Sequence, residues 1–174
     1  MNNQARILLA SLLVLASAAV SMYSYSRLPE KVPIHFDAAG NPNGWGPKNA
    51  ATVFPVGVML FFAGIYAASV HIIRGKEYWE KKLRQPISEE GYEKLVRNSL
   101  GVIDWVVLIC MLMFLTIQVE SFLTAIGKMR GLSGVWIFFV ALFAGVFYGM
   151  ITGLIARREA LKPPPDPNRK LRIR

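Results

Sequence analysis

Apolar residues gather in four long runs along this chain, separated by short polar and charged segments. The runs cover residues 7–25, 51–73, 100–126 and 132–156. A helix needs about 20 mainly apolar residues to cross roughly 30 Å of hydrocarbon, so each run predicts a transmembrane helix. Tyr23 and Tyr25 end the first run and Trp136 opens the fourth, where membrane interfaces attract aromatic rings. The pattern predicts an all-α integral membrane protein, with a four-helix transmembrane domain over residues 1–161. Residues 27–50 form a structured extracytoplasmic loop between the first two helices, residues 74–97 a cytoplasmic loop, and residues 162–174 a Pro-rich basic tail.

The first run has a second reading. Arg6 precedes a short apolar core, and Ala16-Ser17-Ala18 matches the small-residue pattern of a signal-peptide cleavage site. The apolar stretch continues through Val20 and Met22, as an anchor does, which favours a retained helix.

Charge orients the helices. The segment from Arg74 to Arg97 and the tail from Arg157 each hold seven Lys or Arg, and Arg6 falls on the same side. Arg27, Lys31, Lys48, Lys128 and Arg130 fall on the other. Short loops with this bias place the richer side in the cytoplasm, so both termini are expected there, in a bacterial cytoplasmic membrane. The net charge of +9 therefore reads as topology, and nucleic acid is not an expected partner. Tyr78 and Trp79 among basic residues could rest on anionic lipids at the cytoplasmic face, or belong to a solvated connector. Ser88 followed by Glu89 and Glu90 predicts a helix start that runs into the third span, supported by Glu90–Lys94 and Glu93–Arg97 pairs. Pro163 to Pro167 favours extended geometry ahead of the basic run from Arg169, a surface-binding or partner-binding tail.

The outer loop is rich in Pro33, Pro42, Pro47, Gly40, Gly44 and Gly46, so it is built from turns. Asn43-Gly44 suits a tight turn, short extended pieces are expected around Val32 to Phe36, and Phe36 and Trp45 are candidates for its internal apolar contacts. Together Leu28-Pro-Glu-Lys-Val-Pro-Ile-His-Phe-Asp, Gly40 and Asn43-Gly-Trp-Gly-Pro-Lys48 closely resemble the signature of an uncharacterised bacterial membrane domain. That domain stands at the N-terminus of SdpI-type toxin-immunity proteins, and the resemblance spans about residues 5–75. It implies a non-catalytic protein that meets an extracytoplasmic ligand or partner through His35, Phe36, Asp37, Gly40, Asn43, Gly44, Trp45 and Lys48.

Other chemistry is thin. His35 and Asp37 are metal-ligand types, but His71 is expected at the opposite face and the Asp37–Asn43 segment lacks a calcium loop's spacing, so no metal is expected and the two residues read as turn-builders. Cys110, the single cysteine, excludes an intrachain disulfide. Asp104, Gln118 and Glu120 are polar groups within an apolar run, with Asp104 and Gln118 on one helix face; interhelical hydrogen bonding is expected, with ion handling as the alternative. Ala141, Gly145, Gly149 and Gly153 form a four-residue repeat where another helix can approach, either the first helix through Ser17 and Ser21 or a neighbouring subunit of a homo-oligomer or larger complex. Gly57 and Gly64 lie on one face of the second helix, so packing within the chain alone could use all these surfaces. No catalytic motif or cofactor motif is present, so neither an enzyme nor a cofactor is expected. An accessory membrane subunit is the alternative function, and a transporter a poorer one.

Overall fold

The structure is a computed structural model that describes residues 3–162, so residues 163–174 of the expected basic tail lie outside the described residues. In chain order the elements are α1 (Asn3–Tyr25), β1 (Lys31–Phe36), β2 (Pro42–Pro47), α2 (Lys48–Ile73), α3 (Lys76–Leu83), α4 (Glu89–Ala125) and α5 (Val135–Ala160). The protein is mostly helical, and α1, α2, α4 and α5 are each long and apolar enough to cross a membrane. Four such helices make it a multi-pass membrane protein by composition.

Helix α4 is the central post. At 37 residues it extends about 55 Å, well beyond one hydrocarbon layer. Its start is built as expected, with Ser88 Oγ accepting from the Gly91 amide at 3.1 Å and Glu89 and Glu90 in the first turn, where the helix dipole favours negative charge. Lys94 lies 2.9 Å from Glu90, the expected i,i+4 pair. Against α4, α1 and α2 bury Leu13, Met59, Tyr66, Val107 and Met111. At the other end of the α2–α4 contact, Ile73, Trp79, Ile87, Leu95, Leu100, Ala156 and Ala160 form a second cluster that joins α3 and α5 to the post.

Four expectations need correction. The all-α class gives way to helices plus one antiparallel hairpin, because prolines and glycines between residues 31 and 47 favour extended strands and turns over helix. The 74–97 connector is helical in its first part as well, as α3, and Trp79 does not lie on a lipid or solvent surface. Its ring is buried and its indole N–H donates to the Ile73 carbonyl at 2.8 Å. The fourth span starts at Val135 rather than 132, since Ser133 and Gly134 are held outside the helix by Glu120. The second starts at Lys48, three residues early, directly after Pro47 ends the hairpin.

Candidate functional site at the hairpin end

The hairpin connects α1 to α2 in sequence and packs against α2 and the C-terminal end of α4, with the Ser121 hydroxyl donating to the Pro33 carbonyl at 2.9 Å. Val32 and Pro33 turn inward and are buried, while Ile34 and His35 face out. Lys31 pairs with Pro47, Pro33 with Trp45 and His35 with Gly44, and the register slips on either side of His35. Such irregularities bend a strand and re-aim its side chains.

Nearly every polar side chain of the loop motif is used in holding this shape. Asp37 Oδ1 accepts from the amides of Ala39 at 2.9 Å and Asn41 at 2.8 Å, which closes the connection between the strands. The Asn41 amide, then the Asn41 side chain and the Ala39 and Gly40 amides, hold the Asp37 carboxyl below its ordinary value against a smaller desolvation effect. His35 Nδ1 lies 2.5 Å from Asn43 Oδ1 across the hairpin. Lys48 Nζ lies 2.8 Å from Glu30 Oε1 and its amide donates to the Glu30 carbonyl at 3.1 Å, clamping the base of the hairpin to the start of α2. Sequence did not mark Glu30 as the partner of Lys48, although an acid at one root of a hairpin and a lysine at the other is a pairing that the turn spacing suggests.

The glycines of the motif are sites of close approach. Gly40 has φ +83°, and a Cβ there would run into the Leu132 carbonyl oxygen. The Leu132 amide donates to the Gly40 carbonyl at 2.8 Å, and a Cβ on Gly131 would meet that same carbonyl oxygen. The strand connection is thus bonded, backbone to backbone, to the segment linking α4 and α5. A Cβ on Gly44 would stand 2.9 Å from that of His35, and one on Gly46 would stand 2.5 Å from Ile34 Cδ1. Gly131 was not singled out in the sequence, since nothing local marks a contact with a loop 90 positions upstream.

With its polar residues occupied in bonds within the loop, the hairpin also presents large apolar ones outward. Trp45 is 57% exposed and Ile34 51% exposed. This corrects the expectation that Trp45 is an internal contact: the buried positions of the hairpin are held by Val32 and Pro33 instead. Phe36 is half-buried and lines a groove of about 320 Å³ between hairpin, α2 and α4, with Ile34, Phe54, Pro55, Phe114 and Ile117 as its apolar walls and Gln118 and Ser121 behind. Pro55 has no N–H to give the Ala51 carbonyl, and both residues line this groove.

The domain of unknown function DUF1648 is found over residues 12–60. Its span takes in the second half of α1, the whole hairpin and the first half of α2, so it contains the motif and one wall of the groove but none of α4 or α5. No curated protein and no solved structure matches the chain.

The remaining sequence candidates are spread through the bundle. Gln118 joins α4 to α1, accepting from Ser17 Oγ at 2.7 Å and donating to the Ser17 carbonyl at 3.0 Å and Ser21 Oγ at 2.8 Å. Asp104 takes the Tyr66 hydroxyl at 2.8 Å and lies 2.9 Å from Arg6 Nε, which is off the N–H axis, so the contact is an ion pair rather than an aligned hydrogen bond. Glu120 accepts from the Ser133 amide and hydroxyl, both at 3.0 Å, and the Gly134 amide at 3.1 Å, placing its carboxylate at the N-terminus of α5. The glycine face of α5 packs within the chain, on α4: Trp105 and Val102 occupy the space beside Gly145 and Gly149, Gly153 faces Asn98, and the Trp105 indole donates to the Ala141 carbonyl at 2.9 Å. Helix α1 instead uses Ser17 and Ser21 on Gln118. Among the described residues no three His, Cys, Asp or Glu side chains converge.

Proposed function

We propose that this protein is a non-catalytic recognition protein of the bacterial cytoplasmic membrane, whose hairpin faces out of the cell and receives an apolar or amphipathic ligand or partner on Trp45, Ile34 and the groove below. The observation that carries this reading is the division of labour in the loop motif. His35, Asp37, Gly40, Asn43, Gly44 and Lys48 fix the scaffold, and the large apolar side chains are left outward. A fixed backbone presenting exposed aromatic and aliphatic anchors suits recognition, because little ordering entropy is lost on binding. The resemblance of the motif to toxin-immunity proteins suggests membrane-active peptides as the ligand class. The charge bias across the spans supports an outward hairpin and cytoplasmic termini.

A strain lacking the protein should become more sensitive to such peptides, and Trp45→Ala should fail to restore resistance at equal membrane abundance. Unchanged sensitivity in both would overturn the immunity reading. A cysteine introduced at Ala38 should react with an impermeant maleimide on intact cells, and one at Glu77 should not.

A second reading is an accessory subunit of a larger membrane complex. It is favoured by Gly57 and Gly64 on α2: among the described residues nothing lies within 4 Å of where a side chain would begin at either. Gentle purification that returns a stoichiometric set of unrelated subunits would support it, and recovery of the chain alone would sink it.

A further inference from the structure

A cleft of about 620 Å³ runs between α3, α4 and α5 at the end of the molecule opposite the hairpin. Its two ends differ in chemistry. Lys82 from α3, Arg157 near the end of α5 and Asn98 and Ser99 of α4 stand at one end. Val102, Ile103, Val146 and Met150 line the other, about 16 Å deeper along α5 from Arg157 to Val146. The lips are open sideways, since Met150 is 63% exposed and Leu154 61% exposed.

The basic groups at the mouth are in excess of the local acids. Lys94 sits between Glu90 at 2.9 Å and Glu159 at 2.5 Å, and Lys76 lies on Glu89 at 2.7 Å. Those three carboxylates are thereby paired, while Glu77 and Glu80 of α3 lie beyond ion-pair distance of Lys82 and Arg157. Among the described residues neither Lys82 nor Arg157 meets a carboxylate within ion-pair distance. Lys82 is also positioned, with its ammonium 3.1 Å from the Tyr78 hydroxyl and 5.4 Å from the Tyr78 and Trp79 ring centroids. Trp79 is in turn locked by its bond to the Ile73 carbonyl.

We propose that this cleft is a binding site for one anionic phospholipid of the surrounding bilayer, its phosphate held by Lys82 and Arg157 and an acyl chain lying along Val102, Ile103, Val146 and Met150. A headgroup anion matches the two unneutralised cations, and the apolar depth matches a chain that enters from the side. A partner's transmembrane helix fits less well, because it would carry apolar surface past a charged mouth that α3 already walls. The inference does not depend on what the hairpin recognises.

The test uses the full chain reconstituted into vesicles of phosphatidylcholine containing a minor fraction of phosphatidylglycerol, then released for native mass spectrometry. The expected result is selective retention of one phosphatidylglycerol, falling about tenfold in the Lys82→Gln/Arg157→Gln double variant. It should persist in Lys81→Gln/Arg158→Gln, which removes the same charge outside the cleft. Met150→Trp keeps both cations but fills the apolar depth, and it too should lose the lipid; it is read if the first double variant does not fold. Equal retention of phosphatidylcholine, equal loss in both double variants, retention in Met150→Trp, or a lipid-free dimer would each overturn the proposal.

Discussion

Gln118 and Ser17 exchange two hydrogen bonds across the α1–α4 contact, the Ser17 hydroxyl giving to the Gln118 side-chain oxygen while the Gln118 amide gives to the Ser17 carbonyl. The second amide hydrogen goes to Ser21 Oγ, whose own proton goes to the Thr52 carbonyl at 2.6 Å. One side chain thus connects α4 to α1 and, through Ser21, to α2. Interhelical hydrogen bonds in membranes contribute about 0.6 kcal/mol on average and up to roughly 1.7, because the separated helices find other partners. Gln118→Leu, which keeps the volume, is therefore expected to lower stability by about 1–2 kcal/mol in reversible unfolding in mixed micelles. Gln118→Glu should cost more, about 3 kcal/mol, because it exchanges two donors for a charge facing the Ser17 carbonyl. A Gln118→Leu/Ser21→Ala cycle that shows strict additivity would refute the coupling.

Asp37 should give the hairpin a pH dependence of definite sign. Its folded carboxyl is held below the ordinary value of 3.8, chiefly by the Asn41 amide, so the ionised form is the one the turn prefers. The contribution is present above the unfolded value and is lost as pH falls through the lower folded one. Amide resonances of Ala39 and Asn41 should hold still down to about pH 4 and shift together below it. Asp37→Asn should remove that acid transition and leave the hairpin looser at neutral pH, since a neutral amide oxygen accepts from the Ala39 and Asn41 amides more weakly than a carboxylate does. An unchanged transition in Asp37→Asn would show that another group is responsible.

The joint between the hairpin and the α4–α5 segment should be the least tolerant feature of the loop. Gly40→Ala forces a Cβ onto a left-handed residue, about 1–2 kcal/mol by itself, and directs it at the Leu132 carbonyl. Gly131→Ala directs one at the Gly40 carbonyl. Either should break the Leu132–Gly40 hydrogen bond and free the segment carrying Lys128 and Arg130. Trypsin added to the hairpin side of oriented vesicles should then cut after Lys128 or Arg130 at least several times faster than in the parent protein. The pair should be non-additive, because both substitutions break the same contact.

Much of the helical frame was readable before the structure, and the reason is physical. Hydrocarbon demands a long apolar run, so the four spans appear directly in the sequence, and Ser88 with its two following glutamates marks the start of α4. Sequence could mark the loop as turn-built, but it put the tight turn at Asn43-Gly44, which lie within β2, whereas the connection is closed at Asp37–Asn41 with Gly40 in the left-handed region. What it could not show was which surfaces meet. The α5 glycines were legible as a place of close approach but not which helix comes there, because a small-residue stripe names no partner; Trp105 and Val102 of α4 take it. Likewise Trp45 was expected inside because large aromatics usually are, whereas Val32 and Pro33 hold the buried positions of the hairpin and Trp45 is left exposed. Arg6 and Asp104 form a pair across α1 and α4 nearly one hundred positions apart, a separation at which charge alone suggests too many partners.

The glycines finally separate two kinds of helix face. Gly145 and Gly149 lie against Trp105 and Val102, so a leucine at either has to push α5 away from α4. Because α5 packs chiefly on α4, no other interface can absorb the shift. Gly149→Leu should therefore lower stability by roughly 3 kcal/mol or more, the scale of overpacking a close interface, and shorten the lifetime of the folded protein in detergent. Gly57→Leu and Gly64→Leu enter open space and should be neutral or slightly stabilising, since each replaces a weak helix former by about 0.8 kcal/mol of better propensity. If both α2 variants instead lose a co-purifying chain while remaining folded, that face is a contact with a second protein, and the accessory-subunit reading gains its partner surface.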